Sequence, residues 1–493
     1  MTFQMNKLKV SLIASSTILF TNLIFRLINQ SQMMFTFPFD GTDWATHIFE
    51  LWALGQFGFH GLVEHWYNGY ILFKFYNPGW YFFSFPLLKL FGDPLVASFI
   101  SIIILFALLL CGLFALGKVE NFSKIQVFAF FAFFAANAIA ISNFIRDGRT
   151  PEFMAWVIFI PLLALLLYYR NKPVDYKFLL FIPLVSALLL SHFVISILFG
   201  FLLAGFILIK PFKEQLYIFA SGLVSIGLIS FWLIPLLRDI GESNILALKY
   251  ADRFYDMSLF SIILNIALPL IMLILFIIYW RQCNYDKKEF LFFFPTIVFT
   301  FLLIFKLIPL IPLLNNIYPD PTTMFFIFFS VYFFLKIKLG NSKIIALVAA
   351  LLILFAIGNV AINILDTDLF PERTEFQEEL LSSIPKIDGR YMIAGKSPEF
   401  INWGVYSYAA IYHNKKTLWG AWQTTGYSTN YEAKVASTYN LLQEGNCGEF
   451  KKQFADLNSN NIIGIGETCN ILQNCGFFEK AATKSACLYK TEL

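Results

Sequence analysis

Tyr76-Asn-Pro78-Gly-Trp80-Tyr-Phe-Phe-Ser-Phe-Pro86-Leu-Leu88 is the stretch whose reading decides the fold. It is apolar, but Pro78, Gly79 and Pro86 interrupt it, and Lys74 and Lys89 stand at its ends. Short cytoplasmic loops of membrane proteins collect Lys and Arg. Counted as a full span, this stretch would put Lys118, Lys124, Arg170, Lys172, Arg281, Lys287 and Lys288 outside. Taken as a juxtamembrane or re-entrant segment, it leaves all of them in cytoplasmic loops, and we adopt that reading.

Working outward, the first apolar run, Val10 to Ile28, follows Lys7 and Lys9 and lacks a small-residue cleavage motif, so it reads as a retained anchor with a cytoplasmic N-terminus. Apolar runs of roughly the 20 residues needed to cross a bilayer then recur near 94–116, 124–143, 152–169, 178–190, 194–209, 215–237, 259–280, 290–308, 322–337 and 343–365. With the first they make about eleven transmembrane helices. The basic connections 117–124, 170–177, 210–214, 281–288 and 336–343 all fall on the cytoplasmic side. Two spans, 178–190 and 194–209, are short and abut Ser191-His192 at the outer face, where protein or water rather than lipid must meet their ends. A chain that is 58% hydrophobic and only 14% charged is not a soluble protein. Its net charge of +4 is accounted for by these loops, with no nucleic-acid partner implied. No Walker A, GxGxxG or HExxH motif is present.

The outer loops carry the chemistry-bearing residues. The first, 29–93, contains Pro38-Phe-Asp40-Gly-Thr-Asp43-Trp-Ala-Thr-His47-Ile-Phe-Glu50. As a helix entered at Gly41-Thr42, it places Asp43, His47 and Glu50 on one face, while Ile48, Phe49, Leu51, Trp52 and Leu54 lay the rest on the membrane surface. The plainer alternative makes Asp43 a helix cap and His47 an interfacial histidine. The second loop packs Arg146, Asp147, Arg149 and Glu152 into seven residues, as a structural ion pair or a functional group. The fourth, from Arg238-Asp239 to Asp256, reads as solvated polarity, and the fifth, around Asn315-Asn-Ile-Tyr318-Pro-Asp320-Pro, as short and rigid.

From about Asp366 the long apolar runs stop and charge rises. Arg390-Tyr-Met-Ile-Ala, Asn461-Ile-Ile-Gly-Ile and Ala486-Cys-Leu-Tyr-Lys read as strands, and Asp366–Leu381 and Tyr431–Leu442 as helices. The chain thus divides into an all-α polytopic domain over 1–365 and a small α/β domain over 366–493, which the odd span count places outside the cytoplasm. Cys447, Cys469, Cys475 and Cys487 lie in its last 47 residues. Two disulfides suit an oxidising compartment, with three pairings open; a four-cysteine zinc site lacks its CxxC knuckles.

Gly-Thr-Asp43-x-x-x-His47, Tyr67-Asn-Gly-Tyr70, Phe75-Tyr-Asn-Pro-Gly-Trp-Tyr-Phe82, Arg149-Thr-Pro-Glu152-Phe, Leu190-Ser-His192 and Phe231-Trp-Leu-Ile-Pro235 occur in that order. This order, with a looser likeness in Trp419-Gly-Ala-Trp422, resembles prokaryotic membrane proteins labelled 6-pyruvoyl-tetrahydropterin-synthase-related. These are similar in architecture to the GT-C superfamily of polyprenyl-phosphate-sugar-dependent glycosyltransferases, and the likeness covers about residues 8–365. It implies that Asp43 is the general base or a ligand of a divalent cation (Mg or Mn), and that Glu152 and Arg149 occupy the family's second-loop acidic and basic positions. His47 stands where a second acidic residue would be sought, and Asp320-Pro-Thr where many relatives carry arginine.

Sugar transfer from a lipid phosphate needs a carboxylate to take the acceptor's proton and cations to hold the leaving phosphate. Asp43 meets the first need, assisted by His47 and Glu152; Arg146, Arg149 or Arg238 meet the second, with His192 and Asp320 on the same outer face. The expected partners are membrane lipid, a polyprenyl-phosphate-linked sugar as donor, and a glycan, lipid or protein acceptor. The polyprenyl tail needs an apolar groove, sought beside Pro78–Pro86 and around His192. Two other classes compete. A transporter or lipid flippase would need polar residues at the membrane midplane, and a non-catalytic anchored surface protein would use the frame only to hold the disulfide-bearing tail.

Overall fold

In the computed structural model, which describes residues 2–39, 43–242, 259–312, 314, 317, 319–339, 341–365, 373–395, 402–420 and 429–490, the apolar runs are helical. In chain order come α1 (Thr2–Gln30), α2 (Trp44–Phe57), the two-residue strands β1 (Leu62–Val63) and β2 (Tyr70–Ile71), α3 (Gly79–Phe91), α4 (Pro94–Glu120), α5 (Lys124–Ala135), α6 (Ala138–Ile141), α7 (Thr150–Tyr169), α8 (Phe181–Ser191) and α9 (Phe193–Leu208). They are followed by α10 (Phe212–Leu228), α11 (Ser230–Asp239), α12 (Leu259–Gln282), α13 (Lys287–Ile304), α14 (Pro319–Lys336) and α15 (Ser342–Leu365). Local chemistry sets the ends of these helices. The Asp93 carboxylate accepts the Leu95 amide at 2.7 Å, with Pro94 in the first turn, so α4 starts sharply. Ser123 and Gln126 form a capping box that starts α5.

Five of these segments, Lys7–Met34, Pro94–Glu120, Thr150–Tyr169, Asn265–Gln282 and Ser342–Ile364, are long and apolar enough to cross a membrane. Two expected spans are bent instead, by 59° between α5 and α6 and by 77° between α10 and α11, which brings the number to seven if each bent pair is one span. The first bend is chemically satisfied. Asn137 donates to the Phe133 and Phe134 carbonyls and accepts the Ala140 amide, and Asn359 of α15 accepts the Ala138 amide at 2.7 Å. Helices α8, α9 and α14 are shorter than a bilayer is thick, and α13 carries Lys287, Lys288 and Glu289 in its first turn. Eleven apolar segments therefore fall on helices, but length alone does not make each a crossing. On their outer faces α1, α4, α10, α12 and α15 expose residues such as Phe25, Phe114, Phe219, Ile277 and Leu354, an apolar belt of a kind that soluble proteins rarely show.

The stretch over Tyr76–Leu88 is largely α3. At 13 residues it is about 20 Å long, too short to cross, and it packs on α2, α4, α7 and α8. Helix α2 overturns one expectation. Ile48, Phe49, Leu51 and Leu54 do not rest on a membrane surface but are buried inside the protein, because α3, α4 and a helix from the tail enclose them.

That tail contains α16 (Glu375–Ser383), β3 (Arg390–Ala394), α17 (Asn402–His413), β4 (Lys416–Thr417), α18 (Thr429–Gln443), α19 (Cys447–Asp456), β5 (Asn461–Ile465), α20 (Thr468–Asn474), β6 (Phe478–Ala482) and β7 (Ala486–Lys490). The three expected strands form the centre of a five-stranded sheet of order β4-β3-β5-β7-β6, parallel over its first three strands and antiparallel thereafter. Both expected helices are present as α16 and α18, with residues 366–372 outside the described part. The four cysteines pair as Cys447–Cys475 and Cys469–Cys487, tying α19 to the end of α20 and α20 to β7. Helix α17 lies on α2, where Gly404 leaves no room for a side chain against the Phe39 backbone, 2.6 Å from where a Cβ would sit.

Candidate functional site

Asp43 stands immediately before α2 in cap position, yet its side chain makes no capping hydrogen bond, so the plainer reading of this residue as a cap does not hold. Its backbone amide donates to the Asp147 carbonyl at 3.0 Å. Next to it the buried Trp44 indole donates to the Ile145 carbonyl at 2.7 Å. The loop before α2 and the loop before α7 are thus locked together. The second loop is shaped for this by one turn of π-helix over Ser142–Arg146, a local irregularity that often marks functional positions, and by Gly148. At φ +75°, Gly148 presses on the Trp44 ring, and a Cβ there would lie 2.5 Å from it. Gly41 and Thr42, the expected helix entrance, lie outside the described residues.

The α3 stretch reaches the same place from another side. Asn77 donates to the Leu189 carbonyl at 2.7 Å, and a Cβ on Gly79 would lie 2.8 Å from the Leu190 backbone and the Ser191 hydroxyl. This close approach carries Tyr76 to the break between α8 and α9, where His192 holds an extended backbone. Trp232 of α11 completes the frame by donating to the Phe73 and Tyr76 carbonyls at 3.0 and 3.2 Å. The Tyr-Asn-Pro-Gly-Trp stretch therefore touches both the Leu-Ser-His and the Phe-Trp-Leu-Ile-Pro stretches.

Around the half-buried Tyr76 the charged residues converge. Burial pushes its hydroxyl pKa well up, and the carboxylates of Asp43, Glu50 and Glu152 push it further while Arg149 opposes them. Three carboxylates and one guanidinium thus act on a single hydroxyl. His47, on the first turns of α2, is buried; this, with the His192 imidazole adding to it, lowers its pKa to about 3 and keeps it neutral. Burial and then Arg149 lower that of His192 likewise. The His47 ring lies between those of Tyr76 and Trp80, with centroids 6.0 and 5.8 Å away.

Two residues that the sequence reading left without a role belong to this cluster. His47 Nδ1 is 2.6 Å from the Tyr81 hydroxyl, which donates to the Glu50 carboxylate. Glu50 was visible as a face-mate of Asp43 and His47 by spacing, and Tyr81 sat inside a quoted motif, but nothing in the one-dimensional pattern joined them. Arg146 is 38% exposed and pairs with Asp147 at 3.2 Å. Arg238 is 73% exposed and pairs at 2.8 Å with Asp239, which Lys74 also holds at 2.9 Å. Asp320 lies in the first turn of α14, and its side chain is outside the described part. Among the described residues, no three His, Cys, Asp or Glu side chains stand close enough together to hold a metal ion.

The disulfide-bearing tail meets this end of the molecule directly. The Thr417 amide donates to the His65 carbonyl at 2.8 Å, His65 Nε2 meets Asn414 Oδ1 at 2.7 Å, and Asn68 donates to the Leu457 carbonyl at 3.1 Å. An apolar groove of about 410 Å3 runs between α1, α4 and α5 to Ser31, lined by Phe20, Leu23, Leu27, Phe99, Phe106 and Phe131 among others. This groove is a different one from that sought beside Pro78–Pro86 and around His192. No protein-family model matches the sequence, and no curated protein matches it.

Proposed function

We propose that this chain is a multi-pass membrane glycosyltransferase that takes a sugar from a polyprenyl-phosphate donor at the extracytoplasmic ends of its helices. One observation carries the reading: Asp43, Glu152 and Arg149, from two separate outer loops, act on the same Tyr76 hydroxyl, with His47 and His192 beside them. In this reading the Asp43 carboxylate takes the proton of the acceptor hydroxyl as its oxygen attacks the anomeric carbon. The bond from that carbon to the phosphate oxygen breaks, and Arg149 holds the leaving phosphate through paired charge-assisted contacts. Glu152 orients Arg149 or the acceptor, and the neutral histidines line the sugar side. Asp43 acts as a base in this reading, and no step is routed through a divalent cation.

The same contacts support an extracytoplasmic location for this end. The two disulfides favour an oxidising compartment, and the domain that holds them sits on the loop carrying Asp43, so both belong on one side. The groove between α1, α4 and α5, exposing Ile24 and Ile28, suits the polyprenyl tail. The test is transfer by the purified protein in detergent from polyprenyl-phosphate-linked sugars. Asp43→Asn is expected to lower the rate by about 10²–10⁴-fold without changing the melting temperature. Full activity in a normally folded Asp43→Asn variant would remove the assignment.

A further inference from the structure

His47, Tyr81 and Glu50 are all buried, with 3%, 0% and 0% exposure. The Tyr81 hydroxyl meets both of the others. A phenol has one hydrogen. That hydrogen goes to Glu50, and the Tyr81 oxygen is left to accept from His47. The hydrogen on His47 therefore sits on Nδ1. Burial beside His192 keeps the ring neutral, and a neutral imidazole carries one N–H. What remains at Nε2 is a lone pair.

We propose that Glu50 and Tyr81 are positioning residues that hold His47 in its Nδ1–H form, so that Nε2 meets the ligand as a hydrogen-bond acceptor. Its counterpart is then a hydroxyl of the ligand and not a phosphate oxygen, because two acceptors repel. The site is divided accordingly: sugar hydroxyls on the side of His47, between the Tyr76 and Trp80 rings, and phosphate on the side of Arg149. The identity of the ligand rests on the glycosyltransferase reading; the state of His47 does not.

Nuclear magnetic resonance of the full-length protein labelled with 15N-histidine tests the first half, with the His47 signals assigned from their absence in His47→Gln. The wild type alone is decisive. Near neutral pH it is expected to show Nδ1 protonated and Nε2 bare, and a protonated Nε2 overturns the proposal. In Tyr81→Phe, which removes the acceptor for Nδ1–H, the Nε2–H form is expected to rise to a comparable share; an unchanged ratio in a folded variant also overturns it. The second half is read in transfer kinetics. Tyr81→Phe and Glu50→Gln are expected to raise KM for the lipid-linked sugar by roughly 3–10-fold, the worth of one net hydrogen bond, while inhibition by polyprenyl phosphate lacking the sugar keeps its strength. Equal weakening of both overturns the division of the site. If the wild type transfers no sugar from any polyprenyl-phosphate donor, the glycosyltransferase reading falls while the His47 result stands.

Discussion

At the end of α7 away from Asp43, Arg170 reaches Glu289 at 2.6 Å and Glu120 at 3.8 Å, and Lys336 closes on the other Glu120 oxygen at 2.6 Å. Tyr279 donates to the same Glu289. Two carboxylates thus meet two cations, drawn from α4, α7, α13 and α14, and Glu120 and Glu289 are almost fully buried. About 30 Å away, the length of the 20-residue α7, three carboxylates act on Tyr76 against one guanidinium, and the histidines there are neutral. The first cluster is neutral by pairing and fastens helices together. The second is assembled from two loops that a backbone and an indole hydrogen bond join.

The largest test of this contrast is Arg170→Ala, which leaves Glu120 and Glu289 short of a cation. A loss of about 3–5 kcal/mol is expected, read from thermal unfolding in detergent, with sugar transfer per folded molecule unchanged. A loss below 1 kcal/mol would mean that the far cluster is not the fastener we take it to be. Gly148→Ala strikes the other end. A residue at φ +75° against the Trp44 ring costs about 1–3 kcal/mol and displaces the loop that receives the Asp43 amide. Transfer is expected to fall further than stability, and the contrast blurs if the two fall together.

A pH series sharpens the comparison. The His47 pKa, about 3 in the folded protein, lies below the unfolded value near 6.5, so the unfolded chain binds more protons as pH falls. The stability is fully present above roughly pH 6.5 and drains as pH drops toward 3, with about 2 kcal/mol lost by pH 5. His47→Gln is expected to lose less over pH 7 to 5 than the wild type, and equal slopes would count against a buried neutral imidazole. The smallest effect belongs to Lys416→Ala. Its pair with Glu64 is 40% and 52% exposed, so the melting temperature is expected to stay close to that of the wild type, and closer still in high salt.

Much of this was legible in the sequence because it depends on short-range pattern. Asp43, His47 and Glu50 share a helix face by spacing, Pro78 and Gly79 announce that α3 cannot be a long span, and Arg390–Ala394, Asn461–Ile465 and Ala486–Lys490 declare themselves as strands by composition. Cysteine placement called for two disulfides, but their pairing waited on the packing of α19 and α20. The bends after α5 and α10 were hidden, since an apolar run looks the same straight or broken; the side chain that satisfies the first bend, Asn359, is 221 residues away from Ala138. The burial of α2 was hidden for the same reason. Its cover is α17, and Tyr408 of α17 stacks edge-on against Phe37 at 5.8 Å, a contact that no local window contains.

Gly404 against Phe39 and Thr417 on His65 also have a consequence in time. The ribosome releases the loop that carries Asp43 long before the helix and strand that enclose it exist, the two His65 partners coming 349 and 352 residues later. The loop must wait, with Trp66 not yet covered by Gly420, until nearly the whole chain has been made. A chain interrupted after α15 would therefore keep its helices but lack the cover over α2 and the loop that follows it.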